Sequence, residues 1–255
     1  MRVLVCVKRV PLTGGRILLS EDALSLDTRH LGFTISPHEE CGVEEAVRLV
    51  EANGGETVAL CLGPPEAVEQ LRETMALGID RSLHLVTDEV EWDPQATASA
   101  IVDAIHADEA EHGPFDLIFF GNEAADSGNY QVGIRVAHAL SRPVATGLKG
   151  VAVEGGEARC EREAGAGRDV YRLSLPAVVT VKEGLNLPRF PSVPAKLRAQ
   201  KKPVATSQPA RAESRLEKLR LVHPEGEAKQ AEILGEGAAA GPRVVEVLRE
   251  LGVVR

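Results

Sequence analysis

The chain has 255 residues, 44% of them hydrophobic, enough to fill one large α/β core or two small ones. A formal net charge of −9 repels polyanions and argues against bulk attachment to nucleic acid or anionic lipid. The four cysteines are scattered without a CxxC pair, which indicates neither a disulfide framework nor a zinc site, and every apolar run falls far short of the roughly 20 residues that span a bilayer. This usage fits a reducing compartment, either a bacterial cytoplasm or one like the mitochondrial matrix.

The run Val3 to Val7 is apolar and β-branched, the pattern of a strand buried on both faces of a parallel sheet. It is too short for a signal peptide and lacks a small-residue cleavage site, so it reads as a first strand. Arg16 to Leu19 and Ala23 to Leu26 flank Ser20-Glu21-Asp22 as a hairpin. His38-Glu39-Glu40-Cys41 has the residue types of a metal site but no second cluster. It reads better as a helix start, with acids near the positive end of the helix dipole. The helix pattern continues over Val43 to Ala52 and stops at Asn53-Gly54.

A second strand, Thr57 to Leu62, ends in Gly63-Pro64 and leads into a helix over Pro65 to Leu77 that closes at Gly78. Ser82 to Val86 is a third strand, followed by a helix over Pro94 to Glu111. Phe115 to Phe120 is a fourth, ending at Gly121, with a helix over Gln131 to Leu140. Strands alternating with helices predict an α/β fold, a mainly parallel sheet covered by helices on both faces.

The rhythm then breaks. Val151 to Val153 and Ala158 to Glu163 form a hairpin around Glu154-Gly155-Gly156-Glu157, followed by strands over Val170 to Leu175 and Ala177 to Val181. These later strands are expected to extend the sheet antiparallel at one edge. From Pro203 the sequence is aperiodic and then glycine-rich, so residues 1–202 are expected to form the α/β domain and 203–255 an extended arm. Val244, Val247, Leu248 and Leu251 give that arm one apolar helical stripe, which must be buried either on its own domain or on another subunit.

In open parallel sheets, ligands bind beyond the carboxyl ends of the strands. Three segments fall there: Cys6-Val7-Lys8-Arg9, Leu62-Gly63-Pro64, and the loop Gly121-Asn122-Glu123-Ala124-Ala125-Asp126-Ser127-Gly128-Asn129-Tyr130-Gln131-Val132. The last carries turn and capping residues, and its backbone can cradle a phosphate. Spacing alone does not separate that reading from an ordinary β-to-α loop. Gly235 to Gly241 follows no strand and is no dinucleotide fingerprint, no GxxxxGK[ST] loop occurs, and the dispersed histidines, His106 and His112 among them, support no hydrolase triad. A nucleotide pocket without a general acid or base suits a binder better than a catalyst.

The run Lys182-Glu183-Gly184-Leu185-Asn186-Leu187-Pro188-Arg189-Phe190-Pro191-Ser192-Val193-Pro194, followed by basic residues up to Lys202, resembles the signature of the electron-transfer flavoprotein β subunit. Val5 to Arg9, Val43 to Leu49, Leu77 to Arg81, Asp126 with Gln131-Val132-Gly133, and Leu175 to Thr180 agree with it. The resemblance is dense over residues 1 to about 202.

The resemblance implies an adenine-nucleotide-binding fold in a heterodimer whose α subunit holds most of a redox-active FAD, while this chain buries a structural AMP. Contacts to AMP would fall at Cys6, at Ser36, Pro37, His38 and Glu39, at Leu62, and through Gly121 to Val132. The loop departs from the Asp-Gly-Asp-Thr-Ala-Gln of many bacterial relatives, with Tyr130 at a usually smaller position. His38 stands where some relatives carry an aromatic residue near the flavin.

The resemblance further implies a recognition loop over residues 181–202. There Arg189, Phe190, Pro191, Val193, Lys196, Arg198, Lys201 and Lys202 meet the dehydrogenase, with Val193 as the apolar anchor. The apolar stripe of the terminal helix, tethered by the polar stretch from Pro203, is expected to pack on the α subunit. Electrons would pass from acyl-CoA and related dehydrogenases to a membrane-linked quinone oxidoreductase, making the chain part of a carrier and not an enzyme. Two other readings stay open: an electron-bifurcating relative with a second FAD in place of AMP and NADH as donor, and a stand-alone nucleotide-binding module.

Overall fold

The computed structural model describes residues 1–12, 14, 17–88, 91–223 and 232–254. They divide into two units, Met1–Leu219 and Arg220–Arg255. In chain order the first holds β1 (Arg2–Val7), β2 (Val10–Pro11), β3 (Phe33–Thr34), α1 (Pro37–Asn53), β4 (Glu56–Gly63), α2 (Val68–Leu77), β5 (Arg81–Val86), α3 (Pro94–His112), β6 (Leu117–Gly121), α4 (Val132–Ala139) and β7 (Val144–Leu148). It continues with β8 (Gly150–Glu154), β9 (Glu157–Ala164), β10 (Gly167–Ser174), β11 (Ala177–Val181), α5 (Val193–Ala199) and β12 (Val204–Ser207). The second unit holds α6 (Gly241–Glu250), which carries Val244, Val247 and Leu248 and ends at Leu251.

Seven strands make one sheet in the order β12-β5-β4-β1-β6-β11-β7, and every neighbouring pair in it is parallel. Burial on both faces explains the unbroken apolar runs of the sequence. Val3, Val5 and Val7 of β1 face one core with Val43 and Val47 of α1 and Leu71 and Met75 of α2. Leu4 and Cys6 face the other, with Ile101 and Ile105 of α3 and Val136 of α4. Each fully buried aliphatic or aromatic side chain contributes about 1.5–3 kcal/mol.

The helix start read at His38-Glu39-Glu40-Cys41 falls at Pro37, because Ser36 and Glu39 form a capping box: the Glu39 amide donates to Ser36 Oγ at 3.2 Å and the Ser36 amide to Glu39 Oε2 at 3.0 Å. The helix predicted from Pro65 opens as a 3₁₀ turn and becomes α-helical at Val68. It stops at Gly78, whose φ of +136° favours glycine and whose missing Cβ would stand 2.8 Å from Val47 Cγ1. Of the early hairpin, Leu19 and Leu26 form one antiparallel bridge, while Arg16 lies outside the described residues. The periodicity also missed the short pairing of β2 with β3.

The antiparallel strands correct one expectation. β8, β9 and β10 bond to one another as a separate three-stranded sheet and do not extend the edge of the main one, while β11 lies inside the main sheet between β6 and β7. Burial explains the split. All five residues of β11 are buried, so it needs partners on both sides, whereas β9 and β10 alternate and suit a sheet with one wet face.

β12, in the stretch read as aperiodic, adds an edge strand beside β5. At the amino ends of the strands, Arg2 and Arg81 both bind Asp108 (2.6 Å each) and Glu56 (3.2 and 2.8 Å).

Candidate functional site

Helices α1 and α2 cover one face of the sheet and α3 and α4 the other, so strand order reverses between neighbouring β1 and β6. That reversal opens a crevice at the carboxyl ends of these two strands. The predicted nucleotide-contact segments after β1 and β6 and at the start of α1 converge there.

Glu39 is the buried centre of the convergence. One carboxylate oxygen accepts the Ser36 amide at the start of α1, and the other accepts the Lys8 amide, just past β1, at 3.1 Å. Gly121, at the end of β6, closes over it: a Cβ there would lie 2.9 Å from Glu39 Cγ, 3.5 Å from His38 Cβ and 3.6 Å from the Glu123 carbonyl oxygen. Burial pushes the Glu39 carboxyl up to about 7, with Asp126 adding to the rise, and the two amides and the Lys8 charge hold it from rising further.

Above this buried group, Lys8 Nζ pairs with Asp126 at 2.7 Å, joining the exit of β1 to the loop after β6. Cys6 lies below, buried, its thiol raised well above its ordinary value by burial and further by Glu39 and Cys61. Leu62 is partly buried at the end of β4.

The loop after β6 is internally bonded. The Gly128 amide donates to the Ala124 carbonyl (2.8 Å), the Ala124 amide to the Asn129 carbonyl (3.1 Å), the Ser127 amide to Asp126 Oδ1 (2.8 Å), and the Gln131 amide to Asn129 Oδ1 (3.1 Å). Asn122 is tied inward: its amide donates to the Val181 carbonyl, and its Oδ1 accepts Thr180 Oγ1 at 2.9 Å. Ala125 and Tyr130 are exposed on this loop, and Pro37 on the first turn of α1. Unlike α1, α3 and α5, α4 begins without a side-chain cap, because Gln131 turns its carbonyl to Arg135 (2.8 and 3.1 Å). The first N–H groups of α4 are therefore left for other acceptors.

His38 Nδ1 accepts the Glu183 amide at 2.7 Å, which puts the proton of the neutral ring on Nε2, 3.4 Å from Glu123 Oε1. The predicted docking segment is stapled to α1 close by. Asn186 donates to the Cys41 carbonyl (3.0 Å) and Glu45 (2.8 Å), and Arg189 pairs with Glu44 (2.9 Å) and Glu51 (2.7 Å).

Lys202 Nζ donates to the Met75 carbonyl at 3.2 Å and to the Ile79 carbonyl, at the end of α2. The charges of Arg189 and Lys202 are thus spent within the fold. Lys196, Arg198 and Lys201 are exposed, as are Phe190 (96%), Leu187 (83%), Val193 (71%) and Leu197 (65%), while Pro191 is partly buried. A cavity of about 320 Å³ lies between this segment and the end of α2, lined by Met75, Arg198 and Lys202 among others, away from the strand-end crevice.

Two features escaped sequence reasoning: the Lys8–Asp126 bridge, and Glu39 as a buried group linking two elements. The capping box was the one available signal for Glu39, since Ser36 and Glu39 are three residues apart ahead of an apolar run. Among the described residues no group of three or more His, Cys, Asp or Glu side chains is placed to hold a metal ion, and no helix is long and apolar enough to cross a membrane.

Fold and crevice define the class: an open parallel α/β sheet with a ligand-type cleft at its switch point. Residues 23–212 match the family described as "Electron transfer flavoprotein domain". The chain is 34% identical over 250 residues to the electron transfer flavoprotein subunit beta of Syntrophomonas wolfei, covering 98% of this chain and 96% of that one. It is 31% identical to the same subunit of Bacillus subtilis (98% of each chain) and 35% identical to that of Homo sapiens (82% of each). The chain belongs to the electron transfer flavoprotein β subunit family.

Proposed function

We propose that the chain is the β half of a heterodimeric electron carrier and that the crevice between β1 and β6 holds AMP as a structural ligand. The convergence of Lys8, Glu39, Gly121 and the uncapped start of α4 supports this reading. A side chain at Gly121 would crowd the floor of the crevice, the α4 amides suit a phosphate, and Lys8 brings the matching charge. AMP bound only to the native state would stabilise the fold by mass action.

In this reading FAD is held chiefly by the α subunit, with His38, whose Nε2 faces Glu123, near the crevice. Electrons enter from acyl-CoA and related dehydrogenases and leave to a membrane-linked quinone oxidoreductase. Val193 anchors the dehydrogenase, assisted by the exposed cations Lys196, Arg198 and Lys201. Beyond β12, the remainder of the 203–255 segment acts as an arm whose terminal helix packs on the α subunit, in the cytoplasm or a matrix-like compartment. Nucleotides released by denaturing the co-expressed heterodimer test the core of the proposal. One AMP and one FAD are expected, whereas two FAD and no AMP would replace it with the bifurcating reading.

A further inference from the structure

We infer that Glu39 is the positioning residue of the crevice, and that filling the crevice with a nucleotide phosphate draws a proton onto its carboxylate. The inference rests on the proposal that a nucleotide binds there. Glu39 touches all three elements that make the switch point: it caps α1 through Ser36, holds the exit of β1 through the Lys8 amide, and lies against Gly121 at the end of β6.

Around it the chain offers few charges. From β1 come Lys8 and the neutral, buried Cys6; from β4, the buried Cys61, beside Arg9; from the β6–α4 loop, Asp126; and on α1 itself, His38, which faces Glu123 and Glu183 and not Glu39. Among the causes that set the Glu39 carboxyl, the ammonium of Lys8 is the cation that lowers it, and Asp126 already shares that ammonium.

A phosphate entering beside Lys8 adds negative charge to the same crevice and takes up that ammonium. The buried carboxylate then faces two anions with less cationic support, and its proton affinity rises. Since the carboxyl already titrates near 7, a modest rise suffices to bind a proton at neutral to mildly alkaline pH. By reciprocity, nucleotide affinity falls as Glu39 loses its proton with rising pH. A residue that only filled space would leave proton uptake untouched.

The test is calorimetric titration of AMP into the nucleotide-stripped heterodimer at pH 8, in buffers of different ionisation enthalpy. The AMP phosphate, with a second pKa of about 6, is already a dianion there and contributes no proton exchange. The unmodified protein should take up a substantial fraction of one proton per AMP, and Glu39→Gln should bind AMP without uptake. Binding with no uptake by the unmodified protein, or equal uptake by Glu39→Gln, overturns the inference and leaves AMP binding standing. Absence of AMP binding overturns both.

Glutamine presents an amide where Glu39 accepts two backbone N–H groups, so the variant can fail to assemble. Infrared difference spectra of the unmodified protein then decide: AMP should raise a buried carboxylic-acid C=O stretch that moves in Glu39→Asp. No such band, or one unmoved by the aspartate, overturns the assignment.

Discussion

Replacing Gly121 with alanine puts the packing at the floor of the crevice to a direct test. The new methyl group would stand 2.9 Å from Glu39 Cγ and 3.5 Å from His38 Cβ. Glu39 cannot retreat freely, because both its oxygens hold backbone amides. Overpacking of this kind costs about 1–3 kcal/mol. Gly121 does not occupy the left-handed region, so alanine also recovers about 0.4–1 kcal/mol by restricting the unfolded chain.

A net loss of about 0.5–2 kcal/mol should lower the Tm by roughly 1–8 °C for a chain of this size. Thermal unfolding of the heterodimer at fixed nucleotide concentration measures it. Glu39→Ala removes the atom that the methyl group meets, so in the double variant the Gly121→Ala loss should shrink. The coupling should exceed the ~0.5 kcal/mol scatter of independent sites. Strict additivity, or an unchanged Tm in Gly121→Ala, would refute the packing argument.

At the opposite end of the sheet, burial opposes ionisation of Asp108 and Glu56, but the bonds from Arg81 and Arg2 outweigh it and hold both carboxyls below their ordinary range. Their contribution to stability is complete above about pH 5 and is lost as pH falls through the lowered values. Asp108→Ala, which leaves Arg2 and Arg81 with Glu56 as their remaining acid, should cost about 1–3 kcal/mol at neutral pH and flatten the acid limb of a stability-versus-pH curve. On the docking face, Val193→Ala should slow reduction by the dehydrogenase while Tm, FAD and nucleotide content stay unchanged. Arg189→Ala should instead lower the Tm, because it leaves the buried Glu44 with Arg48 alone. Stopped-flow reduction at limiting dehydrogenase separates the two.

The buried strands β1, β4 and β6 were legible because two-sided burial writes itself as an unbroken apolar run, and helix ends because Gly78, Pro94 and Asn53-Gly54 punctuate them. Pairing partners were not legible. Ala177 to Val181 looks like its neighbours in composition, and only its complete burial distinguishes an inner strand from a hairpin continuation. β12 escaped because three of its four residues are exposed at a sheet edge, where no face imposes a period.

At the crevice, the segments followed from strand ends, but the Lys8–Asp126 and Glu39–Lys8 links join residues 118 and 31 positions apart, which no local pattern encodes. Arg189 was read for its charge, and the acids that neutralise it are 145 and 138 positions away.

The segment from Val181 to Val204 starts on β11 and finishes on β12, the far edge of the same sheet, five strand spacings away. At roughly 4.8 Å per spacing that is about 24 Å, crossed with α5 midway. The exposed side chains of Leu187, Phe190, Val193 and Leu197 therefore ride on a span clamped at both abutments to one rigid plate and riveted along its length to α1 and α2 by Asn186, Arg189 and Lys202. Such a span has little disorder left to lose when something lands on it, which favours contacts that form and break quickly with modest buried area.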